Sequence, residues 1–325
     1  MAVSAGLLVF LFSKIDFNRL LTVIKSANPW LVAAAAILNL AFFIVRALRW
    51  RYLMEPVKKN APMMDLLSAT MIGFMANNVL PARLGEFVRA YALARKENLA
   101  KSSVFATIVV ERLFDTMSVL LLLVVVLAYM PKDIAGGNLA GTFRSTGIVS
   151  LWLYAGAISV LGFFVYKPQT VTRGIFMALS PLSTRLADKA AELAGMFATG
   201  LGVVRDPKLL ALILFYSALH WAPLYLPIWL LFKSFGLGFG TYAAVFFLVV
   251  TAFSVAVPST PGFVGTLEAA GTGAMMLLGL DKETALGFAI LAHATNFIPV
   301  TLIGFIFLYR ENLSLSGIRE VEAEA

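Results

Sequence analysis

The sequence predicts an all-α polytopic membrane protein made of two inverted repeats, each with a broken, re-entrant helix hairpin. The first observation is composition: 60% of the 325 residues are hydrophobic, 14% are charged, and the mean hydropathy is +0.87. A soluble core of this size cannot bury that much apolar surface. The second is a series of apolar runs that approach the about 20 residues needed to span a bilayer. The third is a pair of similar polar, proline-containing segments that interrupt two of these runs.

The net charge of +8 does not indicate a nucleic-acid partner, because the basic residues are scattered between apolar runs instead of gathered on one module. We interpret them as topology signals and as contacts for anionic lipid. The chain has no cysteine, which excludes a disulfide framework, a thiolate metal site and a catalytic thiol. The predicted partners are therefore membrane lipids, and no nucleic acid, cofactor or metal is expected.

The first elements are a short apolar run, a surface segment and a full span. Ala2 to Phe12 is too short to span a bilayer alone, so we interpret it as part of a membrane helix. Asp16 to Ala27 has apolar residues at helical spacing and is either an interfacial helix or a simple connector. Trp30 to Val45 is a span, and the residues that extend it are spaced to snorkel at an interface: Arg46, Arg49, Trp50 and Arg51.

A polar, proline-broken stretch interrupts the next apolar run. Met63 to Leu80 begins apolar but ends in two asparagines before Pro81, which is too polar for a helix that ends in lipid. We interpret it as the descending arm of a re-entrant hairpin, with Leu84 to Arg95 as the returning arm. An ordinary span with an Asn-Pro turn in solvent is the alternative. The transmembrane helix that follows, Ser102 to Tyr129, carries a charged cluster of Glu111, Arg112 and Asp115.

The rest of the chain alternates spans with polar connections. The pattern predicts a loop at Pro131 to Ser145 and a span at Gly147 to Tyr166. An amphipathic extramembrane linker follows at Lys167 to Lys208. The next span is Leu209 to Phe232, which Pro223 and Pro227 are predicted to kink. His220 in the kinked span is interpreted as structural. The second interrupted run extends from Thr241 to Leu278 and breaks around Pro261. Ala285 to Tyr309 is the last span, and the acidic tail is predicted to be disordered.

The two interrupted runs correspond in detail, which predicts an internal repeat. In each, a glycine follows a proline by four residues and a glutamate comes shortly after. Each glutamate precedes a basic residue on the next span by a similar distance, 26 residues in the first half and 25 in the second. The correspondence pairs Pro81 with Pro261, Gly85 with Gly265, Glu86 with Glu268, Arg112 with His293, and Asp115 with Asn296.

Charge asymmetry predicts that the repeats are inverted. With both interrupted runs treated as re-entrant, one set of connecting segments holds 18 Lys and Arg residues and the opposite set holds 7. The positive-inside rule then places the first set, including the C-terminus, in the cytoplasm. The first hairpin enters the cell membrane from inside and the second from outside, as in many transporters. The predicted parts of the single membrane domain 1–325 are the first repeat 28–130, the connecting span and linker 131–208, the second repeat 209–310 and the tail 311–325.

The chemistry follows from what a broken helix exposes. Unpaired N–H groups and a partial positive charge at a half-helix N-terminus attract an anion such as a phosphate. Arginines could add bidentate donors, and carboxylates could balance them or bind a cationic group or a proton. The predicted lipid head-group residues are Arg83, Glu86, Arg89, Glu111, Arg112, Asp115, Glu268, His293 and Asn296. The predicted structural residues of the breaks are Asn77, Asn78, Pro81, Gly85, Pro261, Gly262 and Gly265.

Two interpretations of these residues stay open. The cluster of Glu111, Arg112 and Asp115 could instead pair with Glu86 or Arg83 only to clamp the fold. His293 is either a proton carrier near neutral pH or a hydrogen-bonded structural histidine. Small residues from Gly156 to Gly162 offer a packing surface to another helix of the chain or to a second copy, so a homo-oligomer stays open as well.

Three segments resemble the signature of the lysylphosphatidylglycerol synthase transmembrane (flippase) family: NNVLPARLGEFVRA (77–90), ERLFD (111–115) and PGFVGTLEAA (261–270). The resemblance covers roughly residues 28 to 310. The family includes the membrane half of the multiple peptide resistance factor, which moves aminoacylated phosphatidylglycerol across the bacterial cytoplasmic membrane. The chain departs from the pattern at His293, where many relatives carry arginine. It leaves no room for a soluble aminoacyltransferase domain, so it is expected to be a stand-alone member.

The predicted function is a flippase-like translocase that binds a polar, anionic phospholipid or glycolipid head group and moves it across the cytoplasmic membrane. No Walker loop is present, so ATP does not drive it from within these residues. A secondary transporter of a small soluble solute would use the same plan. A membrane-embedded lipid-phosphate transferase could use Glu86 or Asp115 as a base, but the sequence has no HExxH motif and no evident nucleophile and base pair, so we predict a non-enzyme.

Overall fold

The computed structural model describes residues 15–80, 84–130, 138–255 and 260–313. Every regular element in these ranges is helical, and no strand occurs in them. The α-helices, numbered in chain order, are α1 Phe17–Ser26, α2 Pro29–Leu53, α3 Met63–Val79, α4 Gly85–Glu97, α5 Lys101–Ala128, α6 Asn138–Tyr166, α7 Pro168–Leu179, α8 Thr184–Gly200, α9 Pro207–Leu219, α10 Ala222–Ser234, α11 Thr241–Val255, α12 Thr266–Leu277 and α13 Lys282–Arg310. Two short 3₁₀ turns, Leu201–Arg205 and Pro261–Phe263, lie between α8 and α9 and before α12.

Three stretches of the described chain are long and apolar enough to cross a membrane. They are Pro29–Leu53, Pro207–Ser234, which joins α9 and α10, and Lys282–Arg310. Helix α5 has the length of a span, but its middle carries the three charged residues of the predicted cluster. Several apolar helices in an all-helical chain agree with a multi-pass membrane protein.

Side-chain caps and prolines define where several helices begin. The Asn28 side chain accepts hydrogen bonds from the N–H groups of Trp30 and Leu31, and Pro29 occupies the first turn of α2. Asp206 caps α9 in the same way, followed by Pro207. A proline at this position costs the helix no hydrogen bond, because its missing N–H would have no intrahelical partner. These local signals agree with the predicted start of the first span.

Helices α2, α3 and α13 form the centre of the packing. Helix α2 packs against α3, α9, α10 and α13, and α3 packs against both α4 and α13. Glycine makes two of these contacts close: a Cβ on Gly304 of α13 would lie 2.2 Å from the Cβ of Met75, and one on Gly73 of α3 would lie 2.7 Å from the Cβ of Arg89. Small residues let helix backbones approach in this way when hydrophobic burial does not drive association in lipid.

The predicted span from Leu209 to Phe232 contains a break. Helix α9 ends at Leu219, His220 and Trp221 form a turn, and α10 begins at Ala222. Pro223 lies in the first turn of α10, and Pro227 lies inside it. The two prolines that predicted a kink thus lie just after a break, and their missing N–H groups weaken the hydrogen-bond ladder there.

The loop predicted from Pro131 to Ser145 is wrong in its second half. Residues 138–145 belong to α6, which extends nine residues further toward the N-terminus than the predicted span. Glycine, serine and threonine in this stretch suggested a turn, but a long helix tolerates them when the rest of the pattern is apolar. Residues 131–137, the apolar run 2–12 and the tail from 314 onward lie outside the described residues.

Candidate functional site

The first interrupted segment is the connection between α3 and α4. Helix α3 ends at Val79 and α4 begins at Gly85, while Pro81 and Arg83 lie outside the described residues. The Asn77 side chain accepts a hydrogen bond from the Gly85 N–H at 2.8 Å, which ties the two helix ends together. A Cβ on Gly85 would lie 2.1 Å from the Gly73 carbonyl oxygen. Only glycine therefore allows the two arms to approach this closely.

The second interrupted segment lies between α11 and α12. Helix α11 ends at Val255, and the described chain resumes at Thr260 before the 3₁₀ turn Pro261–Phe263. Gly262 and Gly265 have φ values of 68° and 89°, which favour glycine. The Glu268 carboxylate accepts a hydrogen bond from the Gly265 N–H at 2.7 Å and so caps α12. A carboxylate is stabilised there by the helix dipole.

The two interrupted segments contact each other. A Cβ on Gly262 would lie 3.2 Å from the carbonyl oxygen of Asn78 and 2.5 Å from a ring carbon of Phe297. Asn78 also donates a hydrogen bond from its side-chain amide to Thr301 on α13, at 2.8 Å. The tip of the second segment therefore lies against the end of α3, next to the residue that ties α3 to α4.

A buried ion network lies behind the first segment, between α2, α4 and α5. Glu111 on α5 is fully buried and accepts two hydrogen bonds from the Arg89 guanidinium, at 2.8 and 3.0 Å. Arg46 pairs with both Glu111 and Asp115, the latter at 2.7 Å. Arg49 contacts Asp115 at 2.5 Å and donates to Ser217 on α9 at 3.1 Å. Such multiple, bidentate contacts are what a buried charge requires.

Arg89, a predicted head-group ligand, is enclosed by this network. Its guanidinium carbon lies 3.7 Å from the centre of the Trp50 ring, and the residue is 2% exposed. Trp50 is held in turn by a hydrogen bond from its indole N–H to Thr107 at 2.9 Å. One face of the Arg89 guanidinium therefore lies on Trp50 and its edge is bound to Glu111, so its place in the site is behind the surface that a ligand would reach.

Arg112 and Glu86 form the accessible end of the network. Their side chains are 39% and 25% exposed, and Arg112 donates to Glu86 at 2.6 Å. Arg112 also lies 3.4 Å from Asp115, which is one turn further along α5. Glu86 is in the first turn of α4 and receives a weak contact from the Asn77 amide at 3.4 Å. This pair thus connects the buried charges to the interrupted segment.

The network carries an excess of positive charge. Four arginines, Arg46, Arg49, Arg89 and Arg112, face three carboxylates, those of Glu86, Glu111 and Asp115. The Nε atom of each arginine is buried without a hydrogen-bond partner among the described residues. Fixed dipoles and charges act strongly where water is excluded, so an unbalanced guanidinium there attracts an anion.

Glu268 and His293 repeat the pairing of Glu86 with Arg112. The Glu268 carboxylate contacts the His293 Nδ1 atom at 2.6 Å, the same separation as in the first half. In both halves the acid lies in the first turn of the helix that follows the interruption. Asn296, one turn beyond His293, is partly exposed, and its side chain makes no hydrogen bond with the described residues. The similar spacings of 26 and 25 residues are thus accompanied by a contact in each half, although the spacing alone predicted neither contact.

Arg46 and Arg49 were missed as members of the site. The prediction that they snorkel at an interface is wrong, because they are 3% and 0% exposed and both pair with Asp115. One signal was available in the sequence. Asn39, Arg46 and Arg49 share a helical face with the buried Phe42 and Phe43, so basic residues there needed acidic partners from another helix.

A second set of ion pairs lies at the ends of the helices, outside the apolar spans. Lys96, at the end of α4, contacts Glu311 at 2.5 Å and Asp65 of α3 at 2.9 Å, and Ser68 donates to Glu311 at 2.9 Å. Partial burial raises the pKa of Glu311, but the hydrogen bonds from Lys96 and Ser68 outweigh it and hold that pKa below its usual value. Partial burial lowers the pKa of Lys96, and its two carboxylate partners more than reverse this. These pairs fasten the first hairpin to the end of α13.

No metal centre is indicated in the described ranges 15–80, 84–130, 138–255 and 260–313. They contain no group of three or more His, Asp or Glu side chains arranged to hold a metal ion. The basic character of the network agrees with this, because clustered arginines repel a cation.

Comparisons with known proteins identify the chain's relatives. The family model described as "Lysylphosphatidylglycerol synthase TM region" matches residues 1–304. A UPF0104 membrane protein of Methanocaldococcus jannaschii is 20% identical over 306 residues, which cover 90% of this chain and 88% of that protein. A UPF0104 membrane protein of Pyrococcus horikoshii is 22% identical over 312 residues, 92% of this chain and 93% of that protein. The glycosyltransferase AglD of Haloferax volcanii is 33% identical over 134 residues, 41% of this chain but 21% of that protein. No solved structure matches the chain.

Proposed function

We propose a lipid-translocating function for this chain, which belongs to the lysylphosphatidylglycerol synthase TM region family. The chain binds the polar, anionic head group of a membrane lipid at the junction of its two interrupted segments. It moves that head group across the bilayer while the acyl chains stay in the lipid. The observation that carries the proposal is the contact of Gly262 with Asn78, beside a charged network with one excess arginine.

Arg112 is the proposed ligand of the head-group phosphate. It is the most exposed arginine of the network, whereas Arg89 and Arg49 are buried and paired with Glu111 and Asp115. A phosphate would replace the Glu86 carboxylate on Arg112, since both groups accept bidentate hydrogen bonds from a guanidinium. The buried arginines supply the positive potential that makes this exchange favourable.

The proposed architecture is that of two inverted repeats, 28–130 and 209–310, whose interrupted segments are re-entrant hairpins. The matched pairs Glu86 with Arg112 and Glu268 with His293 support the repeat, because both form at 2.6 Å in equivalent positions. The charge asymmetry of the connecting segments supports the inversion and a cytoplasmic C-terminus. Interrupted helices that meet between two such repeats form the substrate site of many transporters.

Each carboxylate is proposed to act as a gate for its half. Glu86 and Glu268 occupy the N-terminal turns of α4 and α12, the positions where a helix end would bind an anion. A lipid phosphate that reaches either end must displace the resident carboxylate. Because His293 takes the place of an arginine in the second pair, that gate is expected to open more readily, since an imidazole binds a carboxylate through one nitrogen whereas a guanidinium can use two.

Reconstitution into vesicles tests the proposal. The rate at which a fluorescent anionic lipid crosses the bilayer is compared with that of a zwitterionic lipid and with uptake of soluble anions. We expect translocation of the anionic lipid that falls about tenfold or more in Arg112→Gln, since one charge-assisted contact is lost. Arg95→Gln, an exposed residue on the same hairpin, is the matched control. Uptake of a soluble solute with no lipid transfer would contradict the proposal and favour the secondary transporter.

Labelling of single cysteines tests the architecture separately, because the chain has no native cysteine. Cysteines introduced at Arg95 and Thr241, which are exposed at the ends of the two hairpins, are treated with a membrane-impermeant thiol reagent. Inverted hairpins require that the two sites react from opposite sides of the membrane. Reaction of both from one side would overturn the inverted repeat.

A membrane-embedded transferase is the second candidate, and the similarity to glycosyltransferase AglD favours it. That similarity covers 21% of the relative, so its named activity belongs to a much longer protein. Glu86, which is partly exposed, would be the base. Formation of a lipid-linked product by the purified chain, lost in Glu86→Gln, would establish this function over translocation.

A further inference from the structure

An apolar cavity lies between α5, α6, the 3₁₀ turn Leu201–Arg205 and α9. Its volume is about 370 Å³, and its walls are almost wholly hydrocarbon, including Phe114, Met117, Ile158, Val165 and Leu214. The Tyr154 hydroxyl in the wall already donates to the Leu113 carbonyl at 3.1 Å. The cavity therefore offers little hydrogen bonding to a polar ligand, and its volume is in the range of small-molecule sites.

A basic recess adjoins this cavity along the same 3₁₀ turn. The recess has a volume of about 530 Å³ and is lined by Gly202, Arg205, Asp206, Pro207 and Lys208. Leu201 and Val204 of the turn line the apolar cavity, so the two spaces share one wall. The Arg205 side chain also donates to the carbonyl of Val165, a residue of the apolar cavity.

The recess has a net positive charge that protein groups leave uncompensated. Asp206 accepts hydrogen bonds from the N–H groups of Lys208 and Leu209, as the cap of α9. Lys208 and Lys167 are exposed and form no ion pair within the described part of the chain. Lys167 directly follows Tyr166, which lines the apolar cavity. Arg205 and Lys208 thus face one carboxylate beside the apolar cavity, and Lys167 is next in the chain to a residue that lines that cavity.

We propose that the cavity and the recess together bind one anionic phospholipid, with an acyl chain in the apolar cavity and its phosphate at Arg205, Lys208 and Lys167. Charge complementarity selects the occupant, because basic pockets between membrane helices at a surface bind anionic head groups. A neutral lipid would fill the cavity equally well but would leave the positive charge of the recess without a balancing anion.

This site is separate from the proposed translocation site, although both use α5. Val110, Leu113, Phe114 and Met117 line the cavity and recur at i, i+3, i+4 and i+7, on one face of the helix. Glu111 and Asp115 project about a quarter turn or more away from that face, into the ion network. The lipid in the cavity is therefore a resident one, which fastens the linker after α8 to the membrane helices α5, α6 and α9.

Lipid titration with native mass spectrometry tests the proposal. The full chain, purified in a neutral detergent and stripped of lipid, is titrated with dioleoyl phosphatidylglycerol and, separately, with dioleoyl phosphatidylcholine. We expect one molecule of the anionic lipid to be retained with about 30-fold to 100-fold higher affinity than the zwitterionic one, as expected for two or three basic contacts. Equal retention of the two lipids would overturn the proposal.

Two variants locate the bound lipid. Gly162→Leu fills the apolar cavity, because a Cβ on Gly162 meets no atom within 4 Å and the residue lines the cavity. It should abolish the tight binding, whereas Gly156→Leu, equally free of contacts but outside the cavity, should not. Lys208→Gln should lower the preference for the anionic lipid about fivefold, because one of the three basic contacts is lost. Lys189→Gln on the exposed face of α8 is its control.

The outcomes are decisive because neither Gly162 nor Lys208 has a partner in the described chain whose loss would unfold it. Unchanged lipid binding in Gly162→Leu would overturn the location, and unchanged preference in Lys208→Gln would overturn the role of charge. A wild-type dimer that dissociates in Gly162→Leu would show that a second copy of the chain covers the cavity, which also contradicts the proposal. Vesicle translocation that fails while this lipid preference holds would affect only the proposed function.

Discussion

Replacing Glu111 by glutamine tests whether the buried ion network holds the membrane domain together. Glu111 is fully buried and contacts Arg89, Arg46 and Arg49, with the bidentate Arg89 bonds at 2.8 and 3.0 Å. Glutamine keeps the shape but removes the charge, so four arginines would face two carboxylates. Removing one partner of a buried ion pair costs about 3–5 kcal/mol, because the remaining charges stay buried without compensation. We therefore expect Glu111→Gln to lower the free energy of unfolding by about 3 kcal/mol or more.

The measurement is reversible unfolding of the purified chain in mixed micelles, followed by circular dichroism. Glu192→Gln, on the exposed surface of α8, is the matched control and should change the free energy by no more than about 0.5 kcal/mol. The double variant Arg89→Gln with Glu111→Gln should lower the free energy of unfolding by less than the sum of the two single changes. Most of the effect of each single change comes from the charge of the other residue, which stays buried without its partner. A Glu111→Gln protein within about 1 kcal/mol of the wild type would refute the reasoning.

Two further predictions concern the first hairpin. Gly85→Ala should prevent the hairpin from closing, since its Cβ would lie 2.1 Å from the Gly73 carbonyl oxygen, and should abolish lipid translocation, whereas Gly156→Ala should leave it unchanged. The ion pair of Lys96 with Glu311 should stabilise the protein only in the pH range where both groups are charged. The contribution of Glu311 is present above its unfolded pKa of 4.5 and is lost as the pH falls through its lower folded pKa. The contribution of Lys96 is present below its unfolded pKa of 10.5 and is lost as the pH rises through its higher folded pKa. The difference in melting temperature between the wild type and Glu311→Gln should therefore be largest near neutral pH and shrink in acid, and a constant difference would contradict the pairing.

The sequence predicted the class of the protein and its unusual segments because these signals are local. Hydropathy marks the spans, and proline with glycine marks each interruption within a few residues. The segments with matched spacing, Glu86 to Arg112 and Glu268 to His293, each contain a tertiary contact, but the spacing alone did not predict it. These predictions needed no knowledge of how the helices pack.

The composition of the ion network could not be predicted in the same way. Arg46 and Arg49 appeared at the end of an apolar run, a position where snorkelling and burial give the same sequence pattern. Their partner Asp115 lies 69 and 66 residues away, and only the packing of α2 against α5 brings them together. Arg89 is the opposite case: its position near a helix start predicts a ligand, and the structure stacks it on Trp50 behind the accessible surface.

The break at His220 and Trp221 was similarly out of reach. Two prolines predicted a kink in the span, but whether a helix bends or stops depends on what fills the gap. Here His220 packs against the rings of Phe42 and Trp221, which holds the turn in place. The two prolines therefore predicted that the helix is irregular here, but not that it stops and restarts.

A structure of the chain with a bound anionic lipid would show whether the junction of the two interrupted segments binds a head group. We predict a phosphate within hydrogen-bond distance of the Arg112 guanidinium, with the Glu86 carboxylate displaced, beside the contact of Gly262 with Asn78. A junction filled with apolar side chains, in which Arg112 stays paired with Glu86 and the lipid head group binds elsewhere, would contradict the proposed function.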